Sequence, residues 1–140
     1  MKCQGGCLCG AVRYDIDGEP DWQGHCHCRR CHRHSGAASL SFARFRETEV
    51  SWIGARRALY RSSDEIYRGF CPCCGSVISF ERPTRRRIAV TAGSMDGPTL
   101  LRPTEHIFGD DRCAWLRLDG GLPWYPGFSD GLAAAGPPAV

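Results

Sequence analysis

The densest group of chemically active side chains in this chain of 140 residues is the segment HCHCRRCHRHSG at 25–36. It holds three cysteines and four histidines within twelve positions. Cysteine thiolates and neutral imidazoles are ligands that zinc prefers. The Cys-x-Cys-x-x-Cys spacing of Cys26, Cys28 and Cys31 therefore predicts a metal site in this segment.

Two further cysteine clusters predict a second metal site. The segment from Cys71 to Gly75 has the form of a zinc knuckle, in which proline and glycine set a tight turn, and Cys74 rather than Cys73 has the spacing of the second ligand. A tetrahedral structural site needs four ligands, and a Cys-x-Cys pair near the N-terminus supplies the other two. The predicted closed site consists of Cys7, Cys9, Cys71 and Cys74.

The coordination of the Cys26, Cys28 and Cys31 site stays open at this stage. Three thiolates leave a fourth position, which either admits water or substrate, as catalytic zinc does, or is filled by a histidine. The histidines available for a closed site are His25, His27, His32, His34 and His106. The three cysteines outside both sites are expected to be free and inert: Cys3, Cys73 and Cys113. For Cys3, four residues before Cys7, oxidation or competition for the metal is the alternative.

The cellular compartment bears on how the ten cysteines are used. No run of eighteen apolar residues is present, and MKCQGGCLCG lacks the apolar core of a secretory signal. We therefore expect a cytoplasmic protein without a membrane anchor. Cytosolic thiols are kept reduced, so metal binding explains the cysteines better than disulfides do.

Basic residues give the chain a formal net charge of +3 with neutral cysteines. Metal-bound cysteines are thiolates, so two zinc sites with seven cysteines would bring the net charge close to zero, and we do not expect a nucleic-acid partner. Arginine binds carboxylates through paired hydrogen bonds. Arg29, Arg30 and Arg33 are thus predicted to offset the negative charge of the thiolates and to bind an anionic ligand, although a solvated basic loop is the alternative.

Apolar and polar residues alternate in short stretches separated by turn residues, which predicts a mainly β fold. Helical periodicity is short, at 29–36 and 97–102, so few or no long helices are expected. Four aromatic residues are expected in the core, with the lining of a pocket as the alternative: Trp22, Trp115, Trp124 and Tyr125. Strands are predicted around these positions: Val12 to Ile16, Leu40 to Phe42, Val50 to Trp52, Ile66 to Phe70, Ile88 to Ala92, and Ala114 to Leu118. One domain at 1–130 and a flexible tail at 131–140 complete the prediction.

The chain resembles the glutathione-dependent formaldehyde-activating enzyme family, which includes centromere protein V. The resemblance rests on motifs in the family's order: GGCLCGAVRY at 5–14, HCHCRRCHRHSG at 25–36, GFCPCCGS at 69–76, IAVTAGSMDG at 88–97 and HIFGDDRCAWLRLDGGLPWY at 106–125. It implies a single-domain, zinc-stapled "β-tent" of small antiparallel sheets. It also implies one structural zinc on Cys7, Cys9, Cys71 and Cys74, and a catalytic-type, exchangeable zinc on Cys26, Cys28 and Cys31.

The activity implied by this resemblance is that of a carbon–sulfur lyase. Glutathione and formaldehyde would be the thiol and the aldehyde that are joined or separated. Two other functions are compatible with the residues. A non-catalytic zinc module would recruit protein or nucleic acid through Arg82, Arg85, Arg86 and Arg87. A stress sensor would use Cys26, Cys28 and Cys31 as oxidisable zinc ligands.

Overall fold

Ten β-strands and one short α-helix form the part of the protein that a computed structural model describes, residues 1–118 and 120–129. The helix, α1, spans Arg29–Ser35. The predicted domain end at 130 and the predicted tail at 131–140 lie outside the described residues. The strands are β1 (Lys2–Gly6), β2 (Val12–Asp17), β3 (Trp22–Cys26), β4 (Leu40–Arg46), β5 (Val50–Gly54), β6 (Ala58–Arg61), β7 (Tyr67–Phe70), β8 (Val77–Arg82), β9 (Arg87–Thr91) and β10 (His106–Ile107).

The strands form two sheets. The smaller has the order β1-β2-β5, and the larger has the order β10-β3-β4-β9-β8-β7-β6. All neighbours are antiparallel except β10, which pairs with β3 in parallel. The mainly β prediction is confirmed, and α1 covers the predicted helical stretch at 29–36. No helix in the described ranges is long and apolar enough to cross a membrane.

Alternation in the sequence places the core between the two sheets. Val12, Tyr14 and Ile16 of β2 point inward and are buried, and they pack in one cluster with Phe45 of β4 and Val90 of β9. A second cluster lies against the other face of the large sheet and includes two of the predicted metal ligands, Cys26 and Cys31. The predicted metal site of Cys26, Cys28 and Cys31 is therefore surrounded by packed hydrophobic side chains.

The predicted strand at Ala114–Leu118 is wrong, because this segment is a turn followed by irregular chain. Its apolar side chains have no sheet face to cover them, and Trp115 is 73% exposed. Trp124 is also 39% exposed, so the core position expected for these two tryptophans is wrong as well. Alternation alone does not make a strand where no partner strand is available.

Gly5 of β1 is a position where a side chain does not fit. An added Cβ would lie 2.3 Å from the Tyr14 ring and 2.5 Å from the Ser94 carbonyl oxygen. We predict that Gly5→Ala lowers the free energy of unfolding by about 1–3 kcal/mol through overpacking. Urea unfolding of the zinc-replete protein measures this change. Gly93→Ala is the control, because its Cβ would meet nothing within 4 Å; equal stability of the two variants would contradict the prediction.

Candidate metal centres and the adjoining cavity

Four cysteines from two turns meet at one point. Cys7 and Cys9 lie in the turn after β1, and Cys71 and Cys74 lie in the turn after β7, with all four Sγ atoms within 4.8 Å of one another. The Cys7–Cys9 and Cys9–Cys71 sulfur distances are 3.6 and 3.8 Å. A Zn–S distance of about 2.3 Å separates the sulfurs of a tetrahedral site by about 3.8 Å, so this set fits a zinc ion.

Local backbone geometry explains why these turns present their sulfurs together. Gly10 and Gly75 both have positive φ, at 79° and 78°, a region that glycine adopts without strain. The Gly75 N–H donates to the Cys71 carbonyl, which closes the knuckle. Because one pair follows the small sheet's β1 and the other the large sheet's β7, this cluster links the two sheets. Cys73 is exposed and lies outside the four-sulfur group.

The second cluster is built at the junction of β3 and α1. Cys26 ends β3, Cys28 is the N-cap of α1, and Cys31 lies in the first helical turn. The Cys28 Sγ accepts a hydrogen bond from the Cys31 N–H at 3.3 Å. The three sulfurs lie within 4.8 Å of one another, with Cys26 and Cys31 buried and Cys28 partly exposed. The set supplies three of the four donors that a tetrahedral zinc needs.

None of the candidate histidines completes this cluster. Across residues 1–118 and 120–129, no histidine nitrogen or carboxylate oxygen lies within 4.8 Å of all three sulfurs. His25, His27 and His106 instead contact one another: His27 Nε2 lies 3.0 Å from His106 Nδ1, and the His25 and His106 rings stack at 4.8 Å. Trp124 stacks on the other face of His106 at 3.8 Å. Burial lowers the pKa of His27 to about 4, so the ring is neutral at pH 7.

A buried arginine lies directly beside the three sulfurs. Arg68 of β7 is 5% exposed, and its Nη1 donates to the Cys31 sulfur at 3.6 Å. Its Nε donates to the Ser62 hydroxyl at 3.2 Å, and its guanidinium lies 5.3 Å from the centre of the Phe80 ring. No carboxylate among the described residues forms an ion pair with Arg68. The cysteine cluster is therefore the anionic group that faces this buried charge.

Crowding of the sulfurs shifts the pKa values of Cys28 and Cys26 in opposite directions. Hydrogen bonds from Cys26 and Cys31, with a contribution from the Arg68 charge, lower the pKa of Cys28. The same contact with Cys28 raises the pKa of Cys26. A metal ion is the natural compensation for thiols held this close together, because it stabilises the thiolate of each.

A cavity of about 280 Å³ opens at this cluster, and all three cysteines line it. Its walls are apolar, with aromatic side chains from several elements: Trp22, Phe42, Phe80, Phe108 and Phe128. Arginines surround the remainder. Arg29, Arg30 and Arg68 line the cavity at the cysteine end, and Arg44, Arg82, Arg85 and Arg87 line it elsewhere.

The predicted arginines lie on two sides of α1. Arg29 and Arg30 both line the cavity, whereas Arg33 lies in a more open groove that Arg30 and Arg68 also border. His34 and Tyr60 line the same groove. The arginines considered for nucleic-acid binding do not form a free patch, since Arg82 and Arg87 pair with Glu65 and Asp21 at 2.6 and 2.7 Å.

Sequence reasoning missed Arg68 and most of the aromatic wall. Arg68 lies between Ile66 and Phe70 on one face of an alternating segment, and a charge at an inward position was the available signal. Phe108 and Phe128 gave no such signal, because they lie in irregular chain and reach the cavity only through the tertiary fold.

The comparisons with known proteins agree with this architecture. The model of the family described as glutathione-dependent formaldehyde-activating enzyme matches residues 2–111. A solved crystal structure of a Rhodobacter sphaeroides protein, a structural genomics target, is similar with a TM-score of 0.54 and 23% identity, over 87% of this chain and 99% of that one. It shows a shared fold. No curated protein matches the chain. Because the family match spans more than half of its residues, the chain belongs to the glutathione-dependent formaldehyde-activating enzyme family.

Proposed function

We propose that this protein is a zinc-dependent carbon–sulfur lyase that acts on a glutathione-like thiol and a small aldehyde. The observation that carries the proposal is the three-sulfur cluster of Cys26, Cys28 and Cys31, which opens on a cavity without a fourth protein ligand among the described residues. Family membership supports glutathione and formaldehyde as the reactants. In this proposal residues 1–130 act as one zinc-stapled domain, and Cys7, Cys9, Cys71 and Cys74 have a structural role.

The reaction needs a thiol to add across a carbonyl group. The carbon–sulfur bond forms, the thiol proton ends on the former carbonyl oxygen, and the reverse reaction breaks the same bond. A zinc ion on the three cysteines would supply Lewis acidity and favour the thiolate form of the substrate. Three thiolates would leave that site with a net negative charge, which opposes an incoming anion. Arg68 reduces this repulsion because its guanidinium lies against Cys31.

The open groove beside α1 suits the polar part of the thiol substrate. Arg30 and Arg33 line it, and guanidinium groups bind carboxylates such as those of glutathione. His34 also lines the groove, and burial lowers the pKa of its imidazole, which keeps the ring neutral and able to accept a proton at pH 7. We assign Arg29, Arg30 and Arg33 to binding and charge compensation, and His34 to the thiol proton.

Exchange NMR tests this function directly. We predict that the zinc-replete protein accelerates interconversion of formaldehyde, glutathione and S-hydroxymethylglutathione, and that Cys31→Ser removes the acceleration while circular dichroism shows an unchanged fold. Cys73→Ser is the matched control, because Cys73 is exposed and outside both clusters. Equal exchange rates with and without the intact protein would contradict the proposal, as would full activity in Cys31→Ser.

A further inference from the structure

One face of the large sheet forms the floor of the cavity, through Trp22, Phe42, Arg44, Phe80 and Ala89. Trp22 pairs with Arg44, Arg44 with Ala89, and Ala89 with Phe80, so these four residues lie at one level across four strands. Cys26 pairs instead with Leu40, four residues before Arg44 on β4. At about 3.3 Å per residue, the two levels are about 13 Å apart. Along β3 and β4, Cys26 therefore lies at one end of the floor and Arg44 at the other. On β7, Arg68 lies level with Arg44, and its side chain reaches back to Cys31.

Aromatic and aliphatic side chains occupy the space between these ends. Phe42 lies on the same face of β4 as Arg44, two residues closer to the cysteine level, and Phe80 faces it at a ring distance of 6.3 Å. Phe108 and Phe128, in edge-to-face contact at 4.8 Å, form another part of the wall. A polar molecule in this section would lose hydrogen bonds to water and gain few in return. The middle section therefore favours an apolar group.

Formaldehyde would fill only a small part of this cavity. The volume of about 280 Å³ is far larger than a molecule with two heavy atoms needs, since one water molecule occupies about 30 Å³ in the liquid. Formaldehyde has one carbon and one oxygen and would leave most of the aromatic wall in contact with water. A ring-sized apolar group would bury that wall, and aromatic rings also pack edge-to-face against phenylalanine.

The far end of the cavity is positively charged. Arg44 and Arg87 share one carboxylate, since both Nε atoms bond Asp21, at 2.6 and 2.7 Å. Arg85 adds a third guanidinium without an ion pair among the described residues. The cavity lining holds seven arginines and one carboxylate, Asp111, and three of these arginines pair with carboxylates outside the lining, Asp21 and Glu65, so an excess of positive charge remains. A carboxylate on the occupant would complement this end.

Building on the lyase function proposed above, we propose that the preferred carbonyl substrate is an aromatic aldehyde with a carboxylate on the ring, and that formaldehyde is a poorer substrate of the same site. The aldehyde carbon faces the cysteine cluster, the ring lies against Phe42 and Phe80, and the carboxylate points to Arg44 and Arg87. The thiol adds to the carbonyl as before, with its proton transferred to the oxygen and no oxidant required. The polar groove lined by Arg30 and Arg33 is left for the thiol substrate.

Two measurements on the zinc-replete protein test this substrate class. Calorimetric titration with 4-methylbenzoate, which has the ring and the carboxylate but no aldehyde, reports binding independently of catalysis. Thiol exchange with glutathione is then compared for 4-formylbenzoate, benzaldehyde and formaldehyde. We expect 4-methylbenzoate to bind. We also expect kcat/KM to fall from 4-formylbenzoate to benzaldehyde to formaldehyde, by roughly tenfold or more at each step, because each step removes complementary contacts.

A substitution that fills part of the cavity tests where the ligand binds. Ala89 is 6% exposed at the centre of the floor, and Ala89→Leu should weaken 4-methylbenzoate binding by roughly tenfold or more. Ala55→Leu, in an exposed turn, is the matched control. If Ala89→Leu does not fold, Arg44→Met provides the second variant and should erase the advantage of 4-formylbenzoate over benzaldehyde.

The outcomes separate this inference from the function on which it rests. Accelerated formaldehyde exchange without 4-methylbenzoate binding, or without a preference for 4-formylbenzoate, would overturn the substrate class and leave the lyase function standing. Binding of 4-methylbenzoate that Ala89→Leu weakens, with no aldehyde turned over, would overturn the lyase function and support the ligand chemistry of the cavity.

Discussion

Replacing Cys71 by serine is expected to prevent stable folding, whereas Cys28→Ser should fold and lose one of two zinc ions. The two cysteines differ in what their clusters hold together. Cys71 is fully buried, and its cluster links the turn after β1 to the turn after β7. Cys28 lies in a cluster formed within one short segment, at the junction of β3 and α1.

The expected difference in stability between Cys71→Ser and Cys28→Ser is large. A structural zinc contributes roughly 10–16 kcal/mol of apparent binding free energy to folding at pH 7. A domain of ordinary stability has only about 5–15 kcal/mol in total, so loss of the Cys71 cluster removes an amount comparable to the whole. The cluster of Cys26, Cys28 and Cys31 packs with Phe42, Ala89 and Ile107, and we expect these hydrophobic contacts to preserve the fold in Cys28→Ser.

Metal analysis and circular dichroism of the purified variants measure both effects. We expect two zinc ions per chain in the unaltered protein, one in Cys28→Ser, and an unfolded or aggregated chain for Cys71→Ser. Cys113→Ser is the control, since Cys113 belongs to neither cluster. A folded Cys71→Ser protein with native stability, or an unfolded Cys28→Ser protein, would contradict the division into a structural and an exchangeable site.

Replacing Arg68 by methionine is expected to weaken zinc binding at the second cluster by roughly 10–100-fold, the usual cost of removing a group that hydrogen-bonds a metal ligand. Arg68 donates to the Cys31 sulfur and is the buried cation beside the three thiols. Without it, the negative charge of the cluster is less well compensated. Methionine fills a similar apolar volume against Phe80 and leaves no buried charge, so the fold should persist.

Competition with a chelator measures the zinc affinity without reference to activity. Arg68→Lys keeps the charge but loses the planar hydrogen-bonding group, so its affinity should lie between those of the unaltered protein and Arg68→Met. Arg56→Met removes an equal charge from an exposed turn and should leave the affinity unchanged. An unchanged zinc affinity in Arg68→Met would show that this arginine serves packing alone.

Short-range patterns predicted much of the fold. Alternation identified β2, β4, β5, β7 and β9. The buried positions of β2 alternate with more exposed ones, whereas β9 is buried on both faces and is recognised by its apolar residues. The same pattern failed at 114–118, where no neighbouring strand supplies hydrogen bonds. It also missed five strands: β1, β3, β6, β8 and β10. The last of these has only two residues and forms through its parallel pairing with β3.

The candidate site also combines features that the sequence predicts with features that depend on the tertiary fold. Ligand spacing such as Cys-x-Cys-x-x-Cys is a local property, because backbone reach over a few residues decides which sulfurs can share an ion. The buried Arg68 and the wall residues Phe108 and Phe128 come from distant segments. Their approach to the cysteines depends on sheet order, which no local pattern encodes.

Residue type and spacing within short segments are enough to predict the mainly β class, the candidate ligand set Cys26, Cys28 and Cys31, and two separate cysteine pairs, Cys7 with Cys9 and Cys71 with Cys74. The tertiary structure brings these two pairs together as one candidate metal site. Only the tertiary structure decided that no histidine of the described residues joins the three sulfurs, since His25, His27 and His106 contact one another instead. It also decided the shape and the charge of the cavity. Those properties arise where one face of the large sheet brings together side chains that lie far apart along the chain.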